Sequence, residues 1–229
     1  MSIRAVIFDL DNTLTHRDLT VQAYAHALVR EYQQHLQQVD LEKIISIIRR
    51  IDRGGYPLKE QLTHGSIGAS VAHALMTELD WQQAPQLDVL SDYWFSQFGH
   101  HAVAMQGAEQ VLKQLKQQNY KLAVISNGGH ETRLSILKGL GFTHYFDEII
   151  SSGLVGVSKP KAEIFKLTAA KLGVTAQECI YVGDHPINDV QGALGAGMSA
   201  VWMEGFHAED LEQPIQQRIQ NLNQLLQYL

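Results

Sequence analysis

Four short apolar runs punctuate the chain: Ala5–Phe8, Leu122–Ile125, Cys179–Val182 and Ser199–Trp202. Each is too short for a buried helix and rich in β-branched or aromatic side chains, so each is expected to be a strand. A strand that is apolar at every position is covered on both faces, which is the habit of a parallel sheet. Glu148–Ser151 is a fifth, weaker candidate. Helix-period segments separate the later runs. Residues 109–118 carry Val111, Leu112 and Leu115 on one stripe, and residues 162–172 carry Ile164, Phe165, Leu167 and Leu172 before a stop at Gly173. Residues 189–195 read as a further short helix. This alternation, from about residue 107 to about residue 203, predicts an α/β fold with a doubly wound parallel sheet and right-handed crossovers.

Residues 16–100 break that rhythm. Val21 to Leu36 has a helical stripe of Ala25, Leu28, Val29, Tyr32 and Leu36, and helices are also expected over 41–51, 71–79 and 87–98. No parallel-strand run occurs there, so the first strand belongs to a sheet whose other strands arrive about a hundred residues later. The expected organisation is a core of residues 1–15 and 101–229 with an α-helical domain inserted over residues 16–100. Hinges are expected near 15–17 and 100–105. From Pro214 to Leu229 the apolar positions Ile215, Ile219, Leu222, Leu225, Leu226 and Leu229 predict a helix that closes the fold.

Composition narrows the function classes. With 45% hydrophobic and 18% charged residues over 229 positions, disorder, collagen-like repetition and a coiled coil are excluded. A net charge of −6 argues against nucleic acid as a partner. The single cysteine, Cys179, rules out an internal disulfide and a multi-cysteine zinc site, and suits a reducing compartment. No apolar run approaches the length of a membrane span, and Asp9 follows the N-terminus too soon for a signal peptide, so a cytoplasmic protein without a membrane partner is expected.

The chemistry gathers at strand ends. Ala5–Phe8 runs into Asp9-Leu10-Asp11-Asn12-Thr13, placing two carboxylates at i and i+2 where open α/β sheets bind ligands. Two close carboxylates repel, which makes them useful as a divalent-cation site or as a nucleophile with an acid partner; a turn or helix cap is the plainer alternative. Leu122–Ile125 ends in Ser126-Asn127-Gly128-Gly129, a hydroxyl, an amide and flexible backbone that can hold phosphate oxygens without bringing charge. Lys159 stands before Pro160 and the helix that follows; a lysine at a strand end can neutralise a phosphate or an aspartate, although a lone lysine is usually a surface charge. Cys179–Val182 feeds Gly183-Asp184-His185-Pro186-Ile187-Asn188-Asp189, a second acidic pair. Four polar clusters in this order favour function over four independent caps.

Together these residues resemble the haloacid dehalogenase superfamily of hydrolases, in the branch with an α-helical cap inserted after strand one. Asp9-Leu-Asp-Asn-Thr13 matches its Asp-x-Asp-x-Thr motif, Ser126-Asn127 the second, Lys159 the third, and Gly183-Asp184 with Asp189 the fourth. The resemblance covers essentially the whole chain. It implies a Rossmann-like core and a phosphatase that acts on a small phosphorylated metabolite. Asp9 is then the nucleophile, forming an aspartyl-phosphate, and Asp11 the general acid and base. Magnesium is held by the Asp9 carboxylate, the Asp11 backbone carbonyl and Asp184, with Asp189 a ligand through water or an orienting residue. Ser126, Asn127 and Lys159 hold the phosphoryl oxygens. His185 is not expected to bind the metal, because oxygen donors suit magnesium better.

Within that superfamily the carbon–halogen hydrolases lack an acid two residues after the nucleophile and need no metal, so Asp11, Asp184 and Asp189 speak against a dehalogenase. A phosphosugar mutase shares all four motifs and needs further groups for a second phosphate, for which Arg49, Arg50, Arg53 and Lys59 are candidates. A non-catalytic phosphate-binding or signalling module is the alternative from another class; the retained Asp9 and Asp11 and the helical insertion argue against it. Tyr56, Trp81, Trp94 and Phe98 are candidates to stack on a substrate, though Trp94 and Phe98 have the spacing of core residues.

Overall fold

The computed structural model describes residues 2–209 and 215–229. Six strands, β1 (Ala5–Phe8), β2 (Lys121–Ser126), β3 (Glu148–Ser151), β4 (Cys179–Gly183), β5 (Ser199–Met203) and β6 (Arg218–Ile219), form one parallel sheet in the order β3-β2-β1-β4-β5-β6. The chain winds outward from β1 to β3, returns to the other side of β1, and winds outward again to β6. That order is the doubly wound Rossmann-type arrangement, and the reversal between β1 and β4 opens a crevice at the carboxyl ends of the strands. Ala5, Ile7, Ala123, Ile125, Cys179, Tyr181, Ala200 and Trp202 pack into one cluster on one face, and the intervening Val6, Phe8, Leu122, Val124, Ile180 and Val182 are equally buried. Both faces are therefore covered, as unbroken apolar strands require.

Two compact units divide the chain, Met1–Thr15 with Ala104–Leu229, and His16–Val103. The second holds α1 (Arg17–Tyr32), α2 (Leu41–Asp52), α3 (Ile67–Glu78) and α4 (Leu87–Gln97). Asp40 and Ser66 cap α2 and α3 by accepting the backbone N–H of Lys43 and Ala69. The helix expected to begin at Val21 starts four residues earlier at Arg17, and its helical backbone ends at Tyr32 in a 3₁₀ turn, not at Leu36. Trp94 and Phe98 stack with centroids 4.3 Å apart inside this unit and are almost fully buried, so their spacing reflects packing. Gly68 lies beneath the Trp94 indole, where a Cβ would collide with the ring.

In the first unit α5 (Ala108–Gln117), α6 (His130–Gly139), α7 (Ser152–Val155), α8 (Ala162–Leu172) and α9 (Gly192–Gly195) connect the strands. The helix expected over residues 189–195 is instead a π-helical turn, Pro186–Gln191, running into the short α9. The expected C-terminal helix is not continuous. Its start at Pro214 lies outside the described residues. Beyond them, Trp202 and Glu204 donate backbone N–H groups to Gln217 and Ile219, drawing that segment onto the sheet edge as β6. Asn221 and Gln224 then form a capping box that begins a 3₁₀ helix at Leu222. A 3₁₀ repeat of three residues lays Leu222 and Leu225 on one side, which a helical spacing mimics. No helix among the described residues is long and apolar enough to cross a membrane.

Inside the helical unit Arg17 and Asp52 form a buried bidentate ion pair, Nε–Oδ2 3.1 Å and Nη2–Oδ1 2.6 Å, with the guanidinium 4.6 Å from the Phe98 ring centre. Removing one partner of a buried pair strands the other charge. Asp52→Ala is expected to destabilise the unit by about 3–5 kcal/mol. Asp18→Ala, which breaks the exposed pair with Arg49, should cost less than about 1 kcal/mol. Urea unfolding of both variants checks this; equal losses would contradict it.

Candidate functional site

β1 ends at Phe8, and Asp9 continues it by donating its backbone N–H to the Val182 carbonyl at 2.8 Å. The sheet itself thus fixes where the Asp9 carboxyl stands. Ser126 is the last residue of β2 and Gly183 the last of β4, so Asp9 stands between a strand that ends in a hydroxyl and one that runs directly into Asp184. Carboxylate oxygens of Asp9, Asp184 and Asp189 lie within 4.8 Å of one another, and all three residues are buried.

Lys159 does not stand at a strand end. It reaches in from the loop between α7 and α8, and its Nζ lies 2.5 Å from Asp9 Oδ1, 2.7 Å from Asp189 Oδ1 and 3.0 Å from the Tyr181 hydroxyl. The Asn127 side chain shapes this loop: its Nδ2 donates to the Lys159 carbonyl at 3.1 Å, and its Oδ1 accepts the Lys159 N–H at 2.9 Å. Asn127 therefore clasps the backbone of the lysine it was expected to accompany on a phosphate.

Asp189 is bonded through both oxygens, Oδ1 to Lys159 and Tyr181, Oδ2 accepting the His185 N–H at 2.9 Å. Its approach to β4 is possible because residue 183 is glycine; a Cβ there would run into the Asp189 carboxyl. Asp184 Oδ2 receives the Asn12 amide at 3.2 Å and lies 3.2 Å from His207 Nε2. His185 uses Nδ1 to accept the backbone N–H of Ile187 and Asn188, which caps the turn that carries Asp189.

Three contributors escaped the sequence reading. Arg133, buried on α6, places Nη1 3.0 Å from Asp11 Oδ2 and donates from Nη2 to the Asn127 carbonyl at 2.5 Å. Its signal was present: Arg133 occupies the buried stripe with Ile136 and Leu137, where a cation needs a partner. Tyr181 is the one hydroxyl in an otherwise apolar strand, and it donates to the Ile125 carbonyl or Asp189 while accepting from Lys159. His207 follows β5 with no local pattern to mark it.

Four carboxylates, those of Asp9, Asp11, Asp184 and Asp189, thus face two fixed cations, Lys159 and Arg133. Burial pushes the Asp9 carboxyl well above the usual range; Lys159 opposes this, while Asp189, Asp184 and Asp11 reinforce it. Burial pushes Asp184 up to about 6, with His207 opposing. For Lys159 burial works against the charge, but Asp189 and Asp9 outweigh it and hold the ammonium above its ordinary range. Asp9 Oδ2 is buried without a hydrogen-bond partner among the described residues. An unpaired carboxylate oxygen, surplus negative charge and an all-oxygen donor set fit a hard divalent cation held by Asp9 and Asp184.

Comparison with known proteins agrees with this geometry. Residues 3–197 match the family model of haloacid dehalogenase-like hydrolases. The chain is similar to the phosphoserine phosphatase of Thermus thermophilus, 34% identical over 119 residues, which is 52% of this chain and about half (48%) of that one. It is similar over a longer span to the glyceraldehyde 3-phosphate phosphatase of Pyrococcus abyssi, 28% identical over 88% of this chain and 82% of that one. Among solved structures, the Bacillus subtilis HAD-hydrolase YfnB, bound to magnesium, shares the fold with a TM-score of 0.71 at 23% identity, covering 100% of this chain and 99% of that one. On its sequence match, its strand order and the carboxylates at its switch point, the chain belongs to the haloacid dehalogenase-like hydrolases.

Proposed function

We propose that this protein is a magnesium-dependent phosphatase that hydrolyses a small phosphorylated metabolite through an aspartyl-phosphate on Asp9. The observation that carries the reading is the Asp9 carboxyl itself, fixed by the sheet, bonded through Oδ1 to a buried ammonium, with Oδ2 unpartnered and Asp11 two residues on. The phosphatase names of the two relatives support it.

In the first half-reaction an Asp9 oxygen attacks phosphorus and the phosphorus–ester bond breaks, with Asp11 protonating the leaving oxygen. In the second, Asp11 takes a proton from water as that water attacks phosphorus, and the bond to Asp9 breaks to release phosphate. Lys159 and Ser126 stabilise the negative phosphoryl oxygens, and Asn127 acts by holding the Lys159 backbone in place. Asp9, the Asp11 carbonyl and Asp184 hold magnesium, which when bound supplies charge to the phosphoryl oxygens and favours the ionised Asp9. Asp189, with both oxygens engaged by the protein, orients Lys159 and the Asp184 loop.

A mutase would need cationic groups for a second phosphate. Of the four candidates in the helical unit, Arg49 is paired bidentately with Asp18 and Arg50 with Glu78, which favours simple hydrolysis.

Phosphate release from an aryl phosphate, with magnesium and with chelator, tests the reading. Release is expected only with magnesium, and Asp9→Asn is expected to abolish it while leaving the fold intact; near-normal turnover in that variant would overturn the covalent route. Asp184→Ala is expected to raise the magnesium concentration needed for half-maximal rate about tenfold or more. A magnesium titration matching that of the unmutated protein would remove Asp184 from the metal site.

A further inference from the structure

Arg133 is more than its pairing with Asp11 explains. Its side chain is about nine-tenths buried, yet its guanidinium uses Nη1 on Asp11 and Nη2 on the Asn127 carbonyl, leaving Nε buried with no hydrogen-bond partner. An N–H that is buried and unsatisfied costs stability, so a native chain that keeps one invites the question of what it receives. The seat is built for this group. Gly128, at φ 136°, lies against the guanidinium, and a Cβ there would collide with Nη2. α6 delivers the side chain from its first turn, beside the end of β2.

The location sets the substrate. If Asp11 contacts the leaving oxygen, the guanidinium 3.0 Å from the Asp11 carboxylate stands within about 6 Å of that oxygen. Only a group one or two carbons from the ester oxygen spans this distance. A guanidinium with an unsatisfied N–H in a buried place selects an anion, and one remaining N–H on an already paired guanidinium suits a singly charged carboxylate better than a doubly charged second phosphate.

We propose that Arg133 anchors a carboxylate on the substrate, so that the physiological ester is the phosphate of a short hydroxy acid whose carboxylate lies one or two carbons from the phosphorylated oxygen. This rests on the phosphatase reading above and names its substrate class. Asp11 and the carboxylate share one guanidinium, which ties the proton-transferring group to the part of the molecule being recognised.

The test compares carboxymethyl phosphate with its uncharged isostere carbamoylmethyl phosphate, beside an aryl phosphate as control. The unmutated enzyme should prefer the carboxylate by about tenfold or more in kcat/KM, the scale of one charge-assisted hydrogen bond. Arg133→Gln should bring the ratio close to one, and Arg133→Lys, which keeps the charge, should restore part of it. A ratio near one in the unmutated enzyme, or one unchanged by Arg133→Gln, would show that Arg133 only positions Asp11 and would overturn the proposal, while hydrolysis of the aryl phosphate would keep the phosphatase reading. No hydrolysis of any of the three would end both. Should Arg133→Gln fail to fold, competition in the unmutated enzyme decides: the carboxylate ester should inhibit aryl phosphate hydrolysis at about a tenth of the concentration the amide needs, and equal inhibition overturns the proposal.

Discussion

Charge burial governs the architecture of this site. Carboxylates just past the ends of β1 and β4 and from the turn that follows β4 are taken out of water together, and each would resist ionisation there. The Lys159 ammonium touches two of them at once and the Tyr181 hydroxyl as well. Everything that fixes this ammonium has consequences for the carboxyls: the Asn127 clasp on its backbone, the Tyr181 hydroxyl beneath it, and Phe165, which packs edge-on against the Tyr181 ring. The structure spends its buried polar groups on orientation, since a buried ion pair contributes little net stability but tolerates little displacement.

The parallel sheet explains why such a cluster can exist. Its central strands β1 and β4 are buried along their whole length, so the polar side chains of the site gather past their carboxyl ends, where the winding reverses. Ser126 is then the last residue of its strand, while Asp9 and Asp184 each follow directly on the end of theirs, so the three emerge at one edge of neighbouring strands. What the connections between strands add is cations: Lys159 from the loop ahead of α8 and Arg133 from the first turn of α6. The carboxylates and the cations that face them thereby come from different layers of the same unit.

Much of this was legible in the sequence. The five expected strands are all present, because continuous β-branched runs can be buried on two faces in few other ways. Helix α5 matched its stripe and α8 matched at Ile164, Phe165 and Leu172 but not at Leu167, which is exposed, while α6 went unread because its first residues, His130–Thr132, are polar and its buried stripe begins with an arginine. The C-terminal segment misled because spacings of three and four fit an α-helix and a strand followed by a 3₁₀ turn alike. Asp9, Asp11, Ser126, Asn127, Lys159, Asp184 and Asp189 do converge at one end of the sheet, yet sequence could not show that Asn127 serves the lysine backbone, nor that Arg133 faces Asp11. Both depend on pairings between segments distant in the chain, which no local pattern encodes.

The place where the chain leaves the core for the helical unit is narrow. Thr15 and Ala104 pair as bridge partners, and Met105 donates its N–H to the Leu14 carbonyl at 2.8 Å. Eighty-eight residues, His16–Val103, therefore begin and end at adjoining points of one small ribbon. Geometrically this is the closed end of a hairpin whose loop happens to be a folded unit. In evolutionary terms such a ribbon is a socket: helical units of different size and character can be exchanged, or trimmed to a plain turn, without changing the register of the sheet that sets Asp9 in place.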